Sequence, residues 1–242
     1  MCKKGKPVLA VWESGVKGKS RTQEAGLISS RFSLKTQTAL MSRLFLATSN
    51  PHKTHEVTTL LGSPWQVEDM LSHPGITLPE ETGTTFEENA IIKAKGGSAA
   101  LPGVLVMADD SGLEVDALDG QPGVYSARYA GENATDAENR LLLKERLRHI
   151  GRNPAQYFPA RFYCCLALVR DGQLLHVATG TVEGWVSMIQ RGKGGFGYDS
   201  MFYPEGFKKS FAELSQAEKN ALSHRGQAIE MMKSWLDRNP QP

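Results

Sequence analysis

From residue 41 onward, short apolar runs alternate with segments in which apolar residues recur every three or four positions. The runs LFLA (44–47) and VLVMA (104–108) are typical of buried strands. Residues 160–180 have the pattern of a long β-hairpin that turns at Asp171 and Gly172. Helices are predicted from His52 to Gly62, after a cap at Thr84 or Thr85, from Thr135, after Ser215 and after residues 223–226. This alternation predicts an α/β (α+β) fold.

Composition places the chain among ordinary globular proteins. Its 242 residues are 40% hydrophobic, enough for one core or for two lobes that share a cleft. The longest apolar stretch, residues 162–169, is far shorter than the roughly 20 residues that span a bilayer, so we expect no membrane partner. Of the three cysteines, Cys164 and Cys165 are neighbours in an apolar run and do not suit a disulfide framework. We therefore expect a cytoplasmic protein.

The basic excess is confined to the first 40 residues. They carry eight Lys or Arg against Glu13 and Glu24, a balance of +6, and since the whole chain is +2, residues 41–242 sum to −4. We expect a basic leader at 1–40, disordered or added by an upstream start, and a single two-lobed domain at 41–242. A transit peptide is the alternative. The leader lacks the interleaved aromatic residues of a nucleic-acid-binding tail, so no nucleic-acid partner is expected.

The first polar cluster, TSNPHK, lies between a predicted strand and a predicted helix. Its members are Thr48, Ser49, Asn50, Pro51, His52 and Lys53. A helix N-terminus favours an anion, and Lys53 adds a full positive charge within the first turn. The cluster therefore has the outline of a phosphate cradle, although an ordinary capped turn has the same pattern.

Acidic residues gather in two further segments. Glu80 and Glu81 precede the second helix, which carries Lys93, and the ADDSG segment places Asp109, Asp110 and Ser111 directly after the strand at 104–108. We expect this pair of aspartates in the turn where the strand ends. Adjacent carboxylates repel unless a cation compensates them, and with one of the glutamates they supply enough oxygen ligands for Mg²⁺. The alternative is a solvated turn.

A glycine-rich segment at 191–206 contains a misleading motif. Gly192, Gly194 and Gly197 match GxGxxG, but no helix follows, so a dinucleotide site loses its structural context. Glycines beside Phe196 and Tyr198 instead suit a flat pocket in which an aromatic ring stacks on a base. Further along, His224 beside Arg225 at a helix start offers a fixed cluster of donors, unless His224 is a core histidine.

Five segments, in this order and spacing, resemble the inosine/xanthosine triphosphate pyrophosphatase family. They are ATSNPHK, EETGTTFEENAIIKAK, ADDSGLEVDALDGQPGVYSARYAG, GGFGYD and AEKNALSHRGQA, and the resemblance runs from about residue 43 to about residue 237. It implies a two-lobed fold on a long, bent mixed β-sheet flanked by helices, with an active-site cleft between the lobes. It also implies a homodimer, a requirement for Mg²⁺, and hydrolysis of deaminated purine nucleoside triphosphates (ITP, dITP, XTP, dXTP) to the monophosphate and pyrophosphate.

The resemblance also assigns roles. Glu81 and Asp110 would hold the metal, Asp110 would be the general base, and Asp109 would assist. Thr48, Ser49, Asn50, Pro51, His52 and Lys53 would bind the triphosphate, together with Lys93. Ser111 would lie beside the substrate, Phe196, Gly197, Tyr198, Asp199 and Lys219 would surround base and sugar, and His224 with Arg225 would read the purine. Ser49 departs from the common form of the family, which has Gly there.

Hydrolysis of this kind needs positioned charge more than covalent chemistry. Cations stabilise the leaving pyrophosphate while a carboxylate orients a water molecule. Hypoxanthine and xanthine present a 6-oxo acceptor where adenine presents a donor, so an arginine and backbone donors at that edge would discriminate between them. The alternatives are a Maf-like nucleotide pyrophosphatase acting on modified pyrimidine nucleotides, a non-catalytic nucleotide-binding module, and an oxidoreductase that uses the GxGxxG match.

Overall fold

The computed structural model describes residues 42–240, so the predicted leader at 1–40 lies outside the described residues. Within that range the chain forms six strands and five α-helices. The strands are β1 (Ser42–Leu46), β2 (Trp65–Asp69), β3 (Leu105–Val115), β4 (Tyr157–Arg170), β5 (Gln173–Ser187) and β6 (Phe202–Pro204). The α-helices are α1 (Pro51–Leu61), α2 (Phe86–Ala100), α3 (Asp136–Ile150), α4 (Gln216–Leu222) and α5 (His224–Arg238).

All six strands belong to one mixed sheet in the order β2-β1-β3-β4-β5-β6. Strand β1 pairs in parallel with β2 and with β3, whereas every pairing from β3 to β6 is antiparallel. The long β4–β5 hairpin turns at Asp171 and Gly172, both with positive φ. The α/β fold class and this hairpin are therefore confirmed.

Local signals fix the helix ends. The Asn50 side chain accepts hydrogen bonds from the backbone N–H groups of His52 and Lys53, Pro51 occupies the first helical position, and Gly62 follows the last turn with φ 61°. In α2 the cap is Thr85, which forms a capping box with Glu88. Capping boxes also open α3 and α4 where the sequence predicts them.

The core has three parts: one on each face of the sheet, and a third around the later half of β3. On one face, α1 and α5 cover the inward side chains of β1, β3 and β4, which include Leu44, Met107 and Leu166. On the other face, α2 covers Phe45 and Val106. The third part surrounds the later half of β3 and includes Leu113, Val115, Leu143, Leu147, Phe158 and Phe162. The polar run of β3 therefore lies between two apolar regions of the same strand.

The prediction that Asp109 and Asp110 lie in a turn is wrong. Strand β3 continues through both residues to Val115, and Asp109 pairs with Leu166 while Asp110 pairs with Cys165. The strand continues because buried apolar residues follow the polar run and because cations from other elements compensate both carboxylates.

Among the described residues, no helix is both long and apolar enough to cross a membrane.

Candidate active site

The site is built around the alternation of side chains along β3. Successive residues of a strand point to opposite faces, so Asp109 and Asp110 separate although they are neighbours in sequence. Asp109 contacts Lys53 from α1 and Arg225 from α5, whereas Asp110 contacts Lys93 from α2. Each carboxylate thus has its own compensating cations.

Lys93 joins Asp110 to Glu81. Its Nζ lies 2.8 Å from Asp110 Oδ1 and 2.6 Å from Glu81 Oε1, and Arg128 Nη1 donates to Glu81 Oε2 at 2.9 Å. Burial raises the pKa of Asp110, and Lys93 lowers it only in part, so this pKa stays above its ordinary value. Burial also opposes ionisation of Glu81, but Lys93 and Arg128 outweigh it and the pKa of Glu81 is lowered.

This pair of carboxylates fits a magnesium ion. Asp110 Oδ2 is buried without a hydrogen-bond partner, which leaves one hard oxygen ligand free beside Glu81. Glu80, the other candidate ligand, is exposed. Residues 42–240 contain no group of three or more His, Cys, Asp or Glu able to hold a metal. Mg²⁺ is commonly bound by only one or two carboxylates that share it with substrate phosphates and water.

Asp109 has a different environment. Its carboxylate accepts hydrogen bonds from Lys53 Nζ, from Arg225 Nε at 2.7 Å, from Ser111 Oγ at 2.9 Å and from Cys164 Sγ at 3.4 Å. Burial raises its pKa, but Arg225 and Lys53 outweigh burial and hold the pKa well below its usual value. Asp109 is therefore an ionised anchor for two cations, and its assistance at the metal stays a prediction.

Two neighbouring cavities contain the predicted site. The cavity that we call the acidic cavity, of about 690 Å³, is lined by the cradle and by the carboxylates. The cavity that we call the aromatic cavity, of about 110 Å³, is lined by the glycine-rich segment and by α4 and α5. Both are lined by Asn50, Lys53, Ser111 and Ala127. The residues predicted for the site that line the acidic cavity are Thr48, Ser49, Asn50, Pro51, His52, Lys53, Glu81, Lys93, Asp109, Asp110 and Ser111. Those in the aromatic cavity are Asn50, Lys53, Ser111, Phe196, Gly197, Tyr198, Asp199, Lys219, His224 and Arg225.

Phe196 lines the aromatic cavity together with Phe162 and Tyr198. Its ring stacks on His52 with centroids 5.3 Å apart, and it lies 4.8 Å from Lys219 Nζ and 5.5 Å from the Arg225 guanidinium carbon. The His224 ring stacks on Phe162 at 4.8 Å. Burial, assisted by the charge of Arg225, holds the pKa of His224 well below its usual value, so His224 is neutral and its buried Nδ1 has no partner.

Sequence reasoning missed two charged residues at the site. Arg128 binds Glu81, and Glu56 accepts from Arg225 Nη1 at 2.6 Å and from Lys219 Nζ at 3.2 Å. Arg128 lies inside one of the five family segments, but no role was assigned to it. Glu56 follows Lys53 by three residues on a predicted helix, a spacing that places both on one face.

Comparisons with known proteins agree with the resemblance. The Ham1 family model matches residues 44–235. A dITP/XTP pyrophosphatase from Exiguobacterium sibiricum is 45% identical over 195 residues, which cover 80% of this chain and 96% of that protein. Another from Halalkalibacterium halodurans is 44% identical over 198 residues, which cover 81% of this chain and 100% of that protein.

Solved structures give the same result. A HAM1 protein from Coxiella burnetii superimposes with a TM-score of 0.72 at 40% identity, over 82% of this chain and 100% of that one. The Ham1 protein of Staphylococcus aureus gives a TM-score of 0.70 at 37% identity, over 82% of this chain and 100% of that one. The fold and the family resemblance are thus confirmed, and the chain belongs to the Ham1 family.

Proposed function

We propose that this chain hydrolyses deaminated purine nucleoside triphosphates, namely ITP, dITP, XTP and dXTP, to the monophosphate and pyrophosphate, and so removes them from the nucleotide pool. Its relatives of about 45% identity are named dITP/XTP pyrophosphatases. The observation that carries the proposal is the pair of cavities that share Lys53 and Ser111. One offers cations and carboxylates to a polyphosphate, and the other offers an aromatic ring and donors to a base.

The acidic cavity supplies what a triphosphate needs. Asn50 caps α1, the positive end of the helix dipole favours an anion, and Lys53 adds a full positive charge in the first turn. Lys93 reaches the same cavity from α2. Because phosphoryl transfer depends mainly on positioning and charge neutralisation, two lysines from two helices suit the binding of the triphosphate and the stabilisation of the leaving pyrophosphate.

Asp110 is the general base in this proposal. Glu81 and Asp110 would hold Mg²⁺, which when bound neutralises phosphate charge and lowers the pKa of water. Burial keeps the pKa of Asp110 above that of an exposed aspartate, so its carboxylate accepts a proton from water more readily. Lys93 holds Asp110 and Glu81 together through hydrogen bonds to both.

The aromatic cavity supplies base selection. Phe196 supplies an aromatic ring, and the neutral His224 and the cationic Arg225 line the same cavity. A 6-oxo purine presents an acceptor to these donors, whereas adenine presents a 6-amino donor and leaves them unpaired. Sites that leave buried polar groups unpaired discriminate strongly between substrates.

The decisive experiment measures pyrophosphate release from dITP, XTP, dGTP, dATP and a modified pyrimidine triphosphate, with and without Mg²⁺. We expect magnesium-dependent turnover of dITP and XTP, and kcat/KM for dATP lower by about 10² or more. The Asp110→Asn variant serves as the control and should lose about 10³-fold in kcat while it keeps its melting temperature. Preference for the pyrimidine, or turnover without Mg²⁺, would contradict the proposal.

The homodimer remains an expectation from the family resemblance, and the cytoplasmic location remains an expectation from the cysteine content. Light scattering at several protein concentrations tests the dimer, and fractionation of cells that produce the full chain tests the location.

A further inference from the structure

Six buried or partly buried charged side chains form a continuous series, and all of them except Glu56 line one or both of the two cavities. We call this series the buried ion chain; its members, in order, are Lys53, Asp109, Arg225, Glu56, Lys219 and Asp199. After the short contact between Lys53 and Asp109, the links measure 2.7, 2.6, 3.2 and 2.8 Å. Positive and negative groups alternate, so three cations balance three carboxylates.

Glu56 is the link on which both base-side cations depend. It lies on α1, is 4% exposed, and divides its two oxygens between Arg225 Nη1 and Lys219 Nζ. Without its charge, Arg225 and Lys219 would be neighbouring cations that share no counterion, which is costly in a buried site. Burial alone would raise the pKa of Glu56, but Arg225 and Lys219 outweigh it and the carboxylate stays ionised.

Arg225 is held at three points. Its Nε donates to Asp109, its Nη1 to Glu56, and its Nη2 to Ser111 at 2.9 Å. A planar guanidinium fixed by three acceptors has a defined orientation, and here it lies against the Phe196 ring. Loss of the Glu56 acceptor would leave Arg225 Nη1 without this hydrogen bond, and the guanidinium would be held at only two points.

Lys219 transmits the same constraint to the glycine-rich segment. Its Nζ binds Asp199 Oδ2, the oxygen that also accepts from the backbone N–H of Phe196 at 2.9 Å. The ammonium group lies against the face of the Phe196 ring as well. Glu56 therefore supports the cations Arg225 and Lys219 of the aromatic cavity directly, and it supports the Phe196 segment through Lys219.

We propose that Glu56 is a positioning residue for base selection: it holds Arg225 and Lys219 in the arrangement that accepts a 6-oxo purine and leaves a 6-amino purine unpaired. This inference rests on the proposed function. It assigns a role to a residue outside the lining of both cavities.

Substitution of Glu56 by glutamine tests the proposal, since glutamine keeps the shape and removes the charge. We expect the ratio of kcat/KM for dITP to kcat/KM for dATP to fall about tenfold in Glu56→Gln, chiefly through a higher KM for dITP. Calorimetric binding of the product dIMP should weaken by a similar factor, whereas binding of dAMP should change little. The Glu56→Asp variant keeps the charge but shortens the side chain, so it holds the two cations less well, and its ratio should fall by less than tenfold but by at least threefold.

Asp69 provides a matched control because it is also buried and also bonds to α1. It accepts from Thr54 Oγ1 at 2.7 Å and from backbone N–H groups at 71 and 72. The Asp69→Asn variant should lose melting temperature without a change in the substrate ratio.

The outcomes separate the two proposals. Wild-type chain that does not hydrolyse dITP would overturn the proposed function and this inference together. Active wild type with less than a threefold change of ratio in Glu56→Gln would overturn only the inference and leave Glu56 a structural residue. Should Glu56→Gln fail to fold, Glu56→Asp decides, and a change of threefold or more supports the proposal while a smaller one overturns it.

Discussion

At the scale of single residues, Asp109 and Asp110 show how neighbours in sequence acquire different chemistry. Burial opposes the charge of both, yet the pKa of Asp109 lies well below its usual value and that of Asp110 above it. The difference comes from their partners, because Asp109 has two cations in contact and Asp110 has only Lys93. An ionised anchor and a carboxylate with higher proton affinity therefore stand side by side on one strand.

The anchor role of Asp109 predicts a stability defect. Asp109→Asn leaves Lys53 and Arg225 without their shared counterion, and breaking a buried ion pair from one side costs about 3–5 kcal/mol. Urea unfolding at pH 7.5 measures this loss. Glu132→Gln, which removes an 83%-exposed side chain paired with Arg128, should cost about 1 kcal/mol or less. An Asp109→Asn variant of normal stability but weaker Mg²⁺ dependence would favour the metal-assisting role instead.

His224 predicts a pH effect on stability. Its folded-state pKa is far below the ordinary value, so below about pH 6.5 the unfolded chain takes up a proton that the folded chain does not. The histidine therefore destabilises the fold as pH falls, by up to about 1.4 kcal/mol per pH unit. The free energy of unfolding of wild type should drop relative to His224→Phe by about that amount between pH 7.5 and 5.5. A difference that is constant with pH would show that His224 takes up its proton in the folded state.

At the scale of elements, capping signals were predictable and long-range pairing was not. Thr85 with Glu88 and Ser215 with Glu218 form local contacts within four residues, so the sequence alone identifies them. The extent of β3 depends on its pairing with β4, whose partner residues follow 45 to 63 residues later, and on cations from three helices. A polar run that resembles a turn therefore becomes the middle of a strand.

The same distinction between local and long-range contacts explains which residues of the candidate site could be predicted from the sequence. The resemblance of the five segments to a known family assigned roles to particular residues, and those residues line the two cavities. Glu56 could not be assigned because its partners follow 163 and 169 residues later and meet it only in the folded chain. A single charged residue on a helix gives no sign that it will be buried.

The cap of α1 predicts a linked effect on stability and substrate binding. Asn50→Ala removes the acceptor of two N–H groups and should cost about 0.5–2 kcal/mol. Because Asn50 also lines both cavities, we expect a severalfold higher KM for dITP. Thr85→Ala removes the cap of α2 about two turns before Lys93 and should lose similar stability with unchanged KM. Equal KM values for the two variants would show that the Asn50 cap contributes to stability but not to substrate binding.

At the scale of the whole molecule, the site lies where regions of the core meet. Residues before Asp109 in β3 belong to the apolar clusters under α1, α2 and α5, and residues after Gly112 belong to the cluster around α3. Lys53, Lys93 and Arg225 reach this boundary from separate helices. The geometry of the proposed site therefore depends on the packing of both regions, and the buried ion chain lies where they meet.

The whole-molecule arrangement predicts that residues 1–40 are dispensable for catalysis. The family match begins at residue 44, the described fold begins with β1 at Ser42, and every proposed site residue follows residue 47. A chain that starts at Met41 loses a charge of +6 and changes from +2 to −4, so it should bind an anion exchanger at pH 7. Its kcat/KM for dITP should stay within twofold of the full chain. Its melting temperature should stay within about 2 °C, a shift that corresponds to a stability change of about 1 kcal/mol or less in a domain of this size. A larger loss of either would show that the first 40 residues contribute to the folded enzyme, and the basic segment would then have to be counted as part of the domain.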